Sequence, residues 1–221
     1  DTPVVPVAAF AGPDQFPLDC ELPDGTPKIF SVSAPSNGEG GGPYVPAPSE
    51  TIDILALTDN RLGVGSCGNL MTVPNPAYAG PDGTESKTIC RDYGFGTTPG
   101  EVTIGGVPLT DVTWSNLSIT GTVAAGTTTG QLVVTRGDND LSTVNGVTVQ
   151  VGLRQYAKVK TVAGPSAPGE YPGAIQKAID AAGTNDLILV APGTYNEFVI
   201  MYKPVQLQGW GAGSTIINAV K

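Results

Sequence analysis

The sequence contains no histidine, which limits the acid–base and metal-binding chemistry that its side chains can perform. The lack of imidazole excludes Ser-His-Asp and Cys-His triads, histidine-based zinc or copper sites and imidazole acid–base catalysis. Carboxylates acting with Lys or Arg remain suited to polysaccharide cleavage, but Asp186, Glu197 and Lys203 belong to no recognisable catalytic set. The stretches GVGSCG and GWGAGS are rich in glycine, but they are not phosphate-binding loops. Neither one ends in Lys followed by Ser or Thr, and neither lies between a strand and a helix. We therefore assign no catalytic residue.

Calcium is the one cofactor that the acidic residues suggest, because it favours hard oxygen ligands on loops. The sequence GDND places Asp138 and Asp140 close together, and TDN places Asp59 and Asn60 in a loop. Both stretches are also ordinary turn sequences, and neither has the spacing of an EF-hand. Asp138 and Asp140 are the expected ligands if calcium binds, and no other cofactor is expected.

Two of the three cysteines flank a loop rich in proline and glycine. Cys67 and Cys90 bracket GNLMTVPNPAYAGPDGTESKTI, and a disulfide between them would restrain this loop by about 3 kcal/mol. We predict that pairing. Cys20 is then left as a free thiol, or as one paired with a partner or with sequence outside this chain. A site that binds metal through three thiols is disfavoured, because no CxxC spacing occurs.

Composition points to a folded, turn-rich protein. Hydrophobic residues make up 40% of the 221 residues, while charged residues make up 14%, against roughly 25% in typical soluble domains. The 30 glycines and 20 prolines favour short strands over long helices. A net charge of −9 lacks the basic surface that nucleic-acid binding needs, and no apolar run reaches the roughly 18 residues of a membrane span. Low charge with abundant Thr, Gly and Pro favours a secreted or cell-surface protein.

Short strands with a two-residue period dominate the middle of the sequence. Residues 1–26 hold five prolines without a period and are expected to form an extended arm or linker. KIFSVSAP begins the strand pattern, and TIDILA continues it with Ile52, Ile54 and Ala56 on one face. From Lys87 onward, EVTI, VTW, SITGTV, GQLVVT and GVTVQV alternate with turns. About five or six such strands predict a small antiparallel sandwich.

Several of these motifs resemble an IPT/TIG domain, which is an immunoglobulin-like module. The matching pieces are GFGTTPGEVTIGG, WSNLSITGTV and AAGTTTGQLVV, and PKIFSVSAP matches the expected first strand. The resemblance implies one β-sandwich over residues 27–153, with Trp114 in its core. It departs from the family pattern by a long insertion at about 34–87, between the first and second strands. IPT-like modules commonly act as spacers, dimerisation surfaces or adhesion modules.

The last fifty or so residues are similar to the N-terminal cap and first rung of a pectate-lyase-like right-handed parallel β-helix. The resemblance rests on GAIQKAIDAAG followed by DLILVAPGTY, FVIM, VQLQG, GWGAGS and STIINA. It implies a linker, a capping helix and one incomplete rung over residues 154–221. DLILVAPGTY is expected as a buried strand and a turn, with FVIM, VQLQG and STIINA as further strands. Tyr195 and Trp210 are expected to pack in turns of this unit.

The capping helix has an apolar stripe and recognisable ends. Pro172 suits the first helical turn, and Gly183 suits the C-cap. The stripe has helical spacing and consists of Ala174, Ile175, Ala178, Ile179 and Ala182.

The fold class expected is therefore mainly β, with an immunoglobulin-like β-sandwich and the capped start of a right-handed parallel β-helix. Because a solenoid needs about three stacked repeats for stability, we expect the remainder of a β-helix, or a second chain, to cover its open end. The function expected is a non-catalytic structural or interaction module, the N-terminal portion or a processed subunit of a larger secreted or cell-surface β-helix protein. The alternative is an accessory part of an extracellular polysaccharide-degrading, lyase-like or other multi-subunit enzyme whose active residues lie outside this chain. A complete subunit that binds carbohydrate or a protein partner is the third candidate.

Overall fold

The fold is mainly β, as the sequence predicts. Cys20, which is predicted to be free or paired outside this chain, lies outside the described residues. Most of the predicted arm at 1–26 lies outside them as well. The computed structural model describes residues 19, 21–38, 41–152, 158–168 and 170–219.

The helices and strands fall into an earlier and a later group along the chain. The earlier group runs β1 (Ile29–Ser33), β2 (Tyr44–Val45), β3 (Thr51–Ala56), α1 (Asp59–Leu62), β4 (Met71–Pro74), β5 (Thr88–Arg91), β6 (Glu101–Ile104), β7 (Val107–Pro108), β8 (Thr110–Trp114), β9 (Ser118–Thr122), β10 (Gly130–Thr135) and β11 (Val147–Val151). The later group runs β12 (Val159–Val162), α2 (Ala174–Ala181), β13 (Leu187–Val190), β14 (Gly193–Asn196), β15 (Gln206–Gly209) and β16 (Thr215–Asn218).

Two sheets of the earlier group share one core. The first sheet has the strand order β1-β3-β9-β8 and is antiparallel throughout. The second has the order β2-β11-β10-β6-β7, and only its short strand β2 pairs in parallel. Ile52 and Ile119 of the first sheet and Ile104 and Leu132 of the second are fully buried members of one cluster. Trp114 packs against this cluster while its Nε1–H donates to the carbonyl of Gly96.

The range 34–87, which the resemblance set apart as an insertion, contains a central strand of the first sheet. β3 pairs with β1 on one side and with β9 on the other. Its buried residues are Ile52, Ile54 and Ala56, which confirms the face predicted from their spacing. A strand in this position belongs to the sandwich, and the described parts of the range before and after it contain β2, α1 and β4 as well.

The loop after β3 is held by the predicted disulfide. Cys67 is bonded to Cys90, which confirms the pairing. Cys90 lies in β5, and β5 pairs with β4 to form a small antiparallel hairpin. The disulfide therefore ties the segment after α1 to this hairpin.

The later group forms stacked parallel coils. β13 lies between β12 and β15, and Leu187 stands opposite Gln206. β14 pairs in parallel with β16, where Gly193 stands opposite Thr215. The chain thus passes twice through the same two strand positions, once along β13 and β14 and once along β15 and β16. Tyr195 lies in the strand β14 rather than in the expected turn. It is fully buried inside the coils, which confirms its packing role.

Helix α2 forms where the apolar stripe predicts it, but both of its ends differ from the prediction. Gly173 is the N-cap, so Pro172 precedes the helix. Ala182 rather than Gly183 is the C-cap, and it has an extended backbone. Its N–H still bonds to a carbonyl in the last turn, so a left-handed glycine is not needed to end the helix.

The strand expected at 198–201 is wrong. This segment is a loop, and Phe198, Ile200 and Met201 are 63%, 51% and 49% exposed. The N–H of Ile200 donates to Oε1 of Gln176 on α2 at 2.8 Å. The backbone of this apolar run is therefore bonded to the helix instead of a neighbouring strand.

A separate apolar cluster joins the sandwich to the coils. Tyr44 of β2 packs with Leu187 and Leu189 of β13, and Trp210 closes the cluster. The N–H of Val32 in β1 donates to the carbonyl of Trp210 at 3.0 Å. All four residues of β13 are buried because Ile188 and Val190 face the coil interior while the alternate side chains face the sandwich.

Candidate functional site

The strands β15 and β16 are the last strands of their two parallel sheets, and we refer to them together as the open coil edge. Among the described residues, no strand pairs with the outer side of either one. Their sequences, QLQG and TIIN, contain no charged residue and no proline. Natural edge strands are usually protected by such residues or by bulges. Ile216 and Ile217 are 45% and 44% exposed on β16, so this edge is both unprotected and partly apolar.

A groove of about 440 Å³ runs between the open coil edge and the sandwich. Its coil side includes Leu207 and Ile217, and its sandwich side includes Val147 and Thr148 of β11. Gln208 crosses between the two sides, because its Nε2–H donates to the carbonyl of Thr148 at 2.6 Å. The groove therefore has one wall from each unit and a fixed separation between them.

The contact between coils and sandwich becomes polar at the open coil edge. On β13 the two residues facing the sandwich are Leu187 and Leu189, but the paired positions on β15 are Gln206 and Gln208. Gln208 accepts a hydrogen bond from Nε2 of Gln150 at 2.8 Å. On β15 the leucines of the apolar joint are therefore replaced by glutamines, and Gln208 contacts the sandwich through hydrogen bonds.

Three residues weighed as catalytic candidates have structural partners. Both carboxylate oxygens of Glu197 accept backbone N–H groups at the start of α2, each at 3.0 Å. Nζ of Lys203 donates to carbonyls at the end of α2, at 2.6 to 3.2 Å. Asp186 accepts the N–H of Gly183 at 2.9 Å. The structure brings Glu197 and Lys203 to opposite ends of one helix, which suits capping of that helix.

Of the two predicted calcium ligands, Asp138 is held in an ion pair with Arg136. Arg136 donates from Nε and Nη2 to the two carboxylate oxygens of Asp138, at 2.8 and 2.6 Å. This hydrogen-bonded guanidinium lowers the pKa of Asp138. Asp140 is exposed and has a left-handed backbone with φ of 58°. Within the described ranges, no three His, Cys, Asp or Glu residues cluster in a way that suits a metal ion.

Asp59, the other acidic residue weighed for calcium, organises the disulfide loop. Its carboxylate accepts the N–H of Cys67 at 2.8 Å and both the N–H and the hydroxyl of Thr72, at 3.0 and 2.5 Å. Burial opposes ionisation of this side chain, but these hydrogen bonds outweigh burial, and the pKa of Asp59 lies below its usual range. Asp59 therefore acts as a buried anion that holds the loop backbone.

Two exposed aromatic residues escaped the sequence analysis. Tyr171 is 86% exposed and Phe198 is 63% exposed, and both line a second groove beside the start of α2. The signal that could have revealed Tyr171 is its place in the proline- and glycine-rich stretch GPSAPGEYPG, where an aromatic residue has little core to enter. Phe198 gave no such signal, because FVIM has the composition of a buried strand.

Comparison with protein-family models, curated proteins and solved structures finds no match to this chain. Neither described helix is long and apolar enough to cross a membrane.

Proposed function

We propose that this chain is a non-catalytic structural or interaction module of a larger secreted or cell-surface β-helix protein. In this role an immunoglobulin-like sandwich supports the first coils of a parallel β-helix, and further coils or a second chain add to the open coil edge. The observation that carries the proposal is the unprotected parallel edge formed by β15 and β16.

The strand order of the sandwich supports the immunoglobulin-like part of this proposal. The order β1-β3-β9-β8 follows the A-B-E-D sheet of that fold, and β11-β10-β6 follows its G-F-C sheet. The parallel stacking of β13 with β15 and of β14 with β16 supports the β-helical part. The disulfide between Cys67 and Cys90 suits an oxidising location such as the cell exterior.

The joint between the two units supports a bracing role. Tyr44 and Trp210 pack against Leu187 and Leu189 in one apolar cluster. The hydrogen bond from the N–H of Val32 to the carbonyl of Trp210 adds a directional contact between the two units. A rigid base of this kind would fix the direction in which further coils extend.

Hydrogen exchange tests whether the open coil edge is covered in the natural assembly. The material isolated from the natural source would be compared, peptide by peptide, with the 221-residue chain alone at a concentration where that chain is monomeric. We expect residues 206–209 and 215–218 to exchange more slowly in the natural material, because strand addition would bond their outer amides. The strand β5 serves as an internal control, because it lies in a separate hairpin and should exchange equally in both samples. Equal exchange of the edge peptides in the two samples would overturn the proposal.

A further inference from the structure

A second groove, which no residue of the open coil edge lines, carries a mixed aromatic and polar lining. It has a volume of about 500 Å³ and is lined by residues 165–168, 170, 171, 173 and 194–198. Tyr171 and Phe198 both line it, and their exposed fractions of 86% and 63% are the largest among the exposed apolar residues of the described chain. Large aromatic side chains are normally buried, so two exposed rings at one groove favour a binding surface.

The carboxylates of the groove are already paired. Glu197 is buried, and its two oxygens accept the N–H groups of Ile175 and Gln176. Glu170 forms an ion pair with Lys177. Neither carboxylate is therefore a free anion that would attract a metal ion or a cationic ligand. The net charge of −9 on the chain disfavours an anionic ligand.

The other polar groups of the groove are neutral. Ser166, Thr194 and Asn196 supply hydroxyl and amide groups that both donate and accept hydrogen bonds. The amide of Asn196 is oriented by Asn218, whose Nδ2–H donates to its Oδ1 at 2.9 Å. The groove thus combines apolar ring faces with neutral hydrogen-bonding groups, one of which is held in place by the neighbouring coil.

From this lining we infer that the groove binds a neutral oligosaccharide. A sugar ring has an apolar face that stacks on an aromatic side chain and a rim of hydroxyls that bond to neutral polar groups. Tyr171 and Phe198 supply the stacking surfaces, and Asn196 is the oriented polar contact. No residue of β15 or β16 lines this groove. Asn218 of β16 contributes only by orienting Asn196, so the inference does not depend on strand addition at the open coil edge.

Isothermal titration calorimetry of the 221-residue chain tests the inference with four probes: cellohexaose, xylohexaose, mannohexaose and the anionic hexagalacturonate. We expect at least one neutral hexasaccharide to bind at one site with a dissociation constant of about 0.1–1 mM. Tyr171→Ala and Phe198→Ala should each weaken that binding about tenfold, whereas Tyr171→Trp should retain it because the stacking face is kept. Near-ultraviolet circular dichroism would confirm that each variant keeps its fold.

Tyr202→Ala is the matched control, because Tyr202 is a 59% exposed aromatic residue that does not line the groove. Its affinity should equal that of the unmodified chain. The inference would be overturned by no saturable binding of any neutral hexasaccharide at about 10 mM. Tighter binding of hexagalacturonate, or an equal loss in Tyr202→Ala, would overturn it as well.

Discussion

Glu197 and Lys203 bind the opposite ends of the same helix. The carboxylate of Glu197 accepts the first N–H groups of α2, and the ammonium of Lys203 donates to its last carbonyls. Each charge is also placed favourably for the helix dipole. Both residues lie in the connection between β14 and β15, at 197–205. One connection of the coils therefore fixes both ends of α2.

Removing either charge should destabilise the chain. Glu197→Gln leaves the N–H groups of Ile175 and Gln176 with a poorer acceptor, and we expect a loss of about 1–2 kcal/mol in the free energy of unfolding. Lys203→Met should lose about 0.5–1 kcal/mol, because the C-terminal carbonyls lose a charged donor. Urea denaturation measures both values. Glu101→Gln and Lys158→Met are the exposed controls, and losses as large in these controls would contradict the capping role.

The joint between sandwich and coils depends on a close approach at Gly42. This glycine has φ of 92°, and a Cβ there would lie 2.7 Å from Nε1 of Trp210 and 2.9 Å from Cδ1 of Leu189. Gly42→Ala must therefore move the tryptophan or the backbone, and we expect a loss of about 3 kcal/mol or more. Thermal or urea unfolding would measure the loss.

Gly126→Ala separates backbone strain from crowding at the joint. Gly126 has a similar φ of 86°, but nothing lies within 4 Å of a Cβ placed there. This control should lose only about 1 kcal/mol, from the left-handed backbone alone. Equal losses in the Gly42 and Gly126 variants would show that the approach of Trp210 does not tighten the joint.

Local patterns predict the elements of this fold better than they predict its joints. The two-residue period around Ile52 predicts β3, and the helical spacing around Ile179 predicts α2, because each pattern reflects burial on one face of one element. The disulfide was predictable because Cys67 and Cys90 bracket one irregular loop. The packing of Trp210 on Gly42 joins residues far apart in sequence, and no local period encodes such a contact.

The errors in the later unit have the same physical origin. FVIM has the composition of a strand, yet its backbone forms a hydrogen bond with α2. The side chain of Gln176 on that helix accepts the N–H of Ile200. The two grooves could not be predicted from the sequence either, because each is lined by segments that are separate in sequence and meet only in the folded chain. The role of Glu197 could be predicted only once the start of α2 was known to lie beside it.

Stability at low pH should depend on Asp59. Its pKa lies below its ordinary value of 3.8, so the ionised side chain stabilises the fold above that value. This contribution is lost as the pH falls below 3.8 and through the lower pKa of the folded state. Asp59→Asn should therefore be less stable at neutral pH by about 1–3 kcal/mol, and the difference from the unmodified chain should shrink on acidification.

Urea denaturation between about pH 2 and pH 7 measures this dependence. Asp82→Asn is the control, because Asp82 is exposed on the same loop, and its stability should follow the unmodified chain at every pH. A constant difference between Asp59→Asn and the unmodified chain across this range would contradict the role of the ionised carboxylate.

The disulfide should contribute to global stability and to order in the hairpin of β4 and β5. Replacing Cys67 and Cys90 together with serine removes a cross-link spanning 23 residues, for which the chain-entropy model gives about 3 kcal/mol. Hydrogen exchange should also become faster in β4 and β5. The central strand β9 should change only with global stability. Unchanged exchange in the hairpin would show that Asp59 and its hydrogen bonds order the loop without the cross-link.

The open coil edge should make the chain self-associate. Its exposed Ile216 and Ile217 and its lack of charged residues favour edge-to-edge contact between copies. We expect the sedimentation coefficient of the 221-residue chain to rise with concentration, and Ile217→Lys to suppress the rise by placing a charge on the edge. Val144→Lys is the control, because Val144 is 60% exposed and lies outside β15 and β16, and this variant should associate like the unmodified chain. A chain that stays monomeric to about 0.5 mM, or equal suppression by Val144→Lys, would show that this edge does not adhere to other strands.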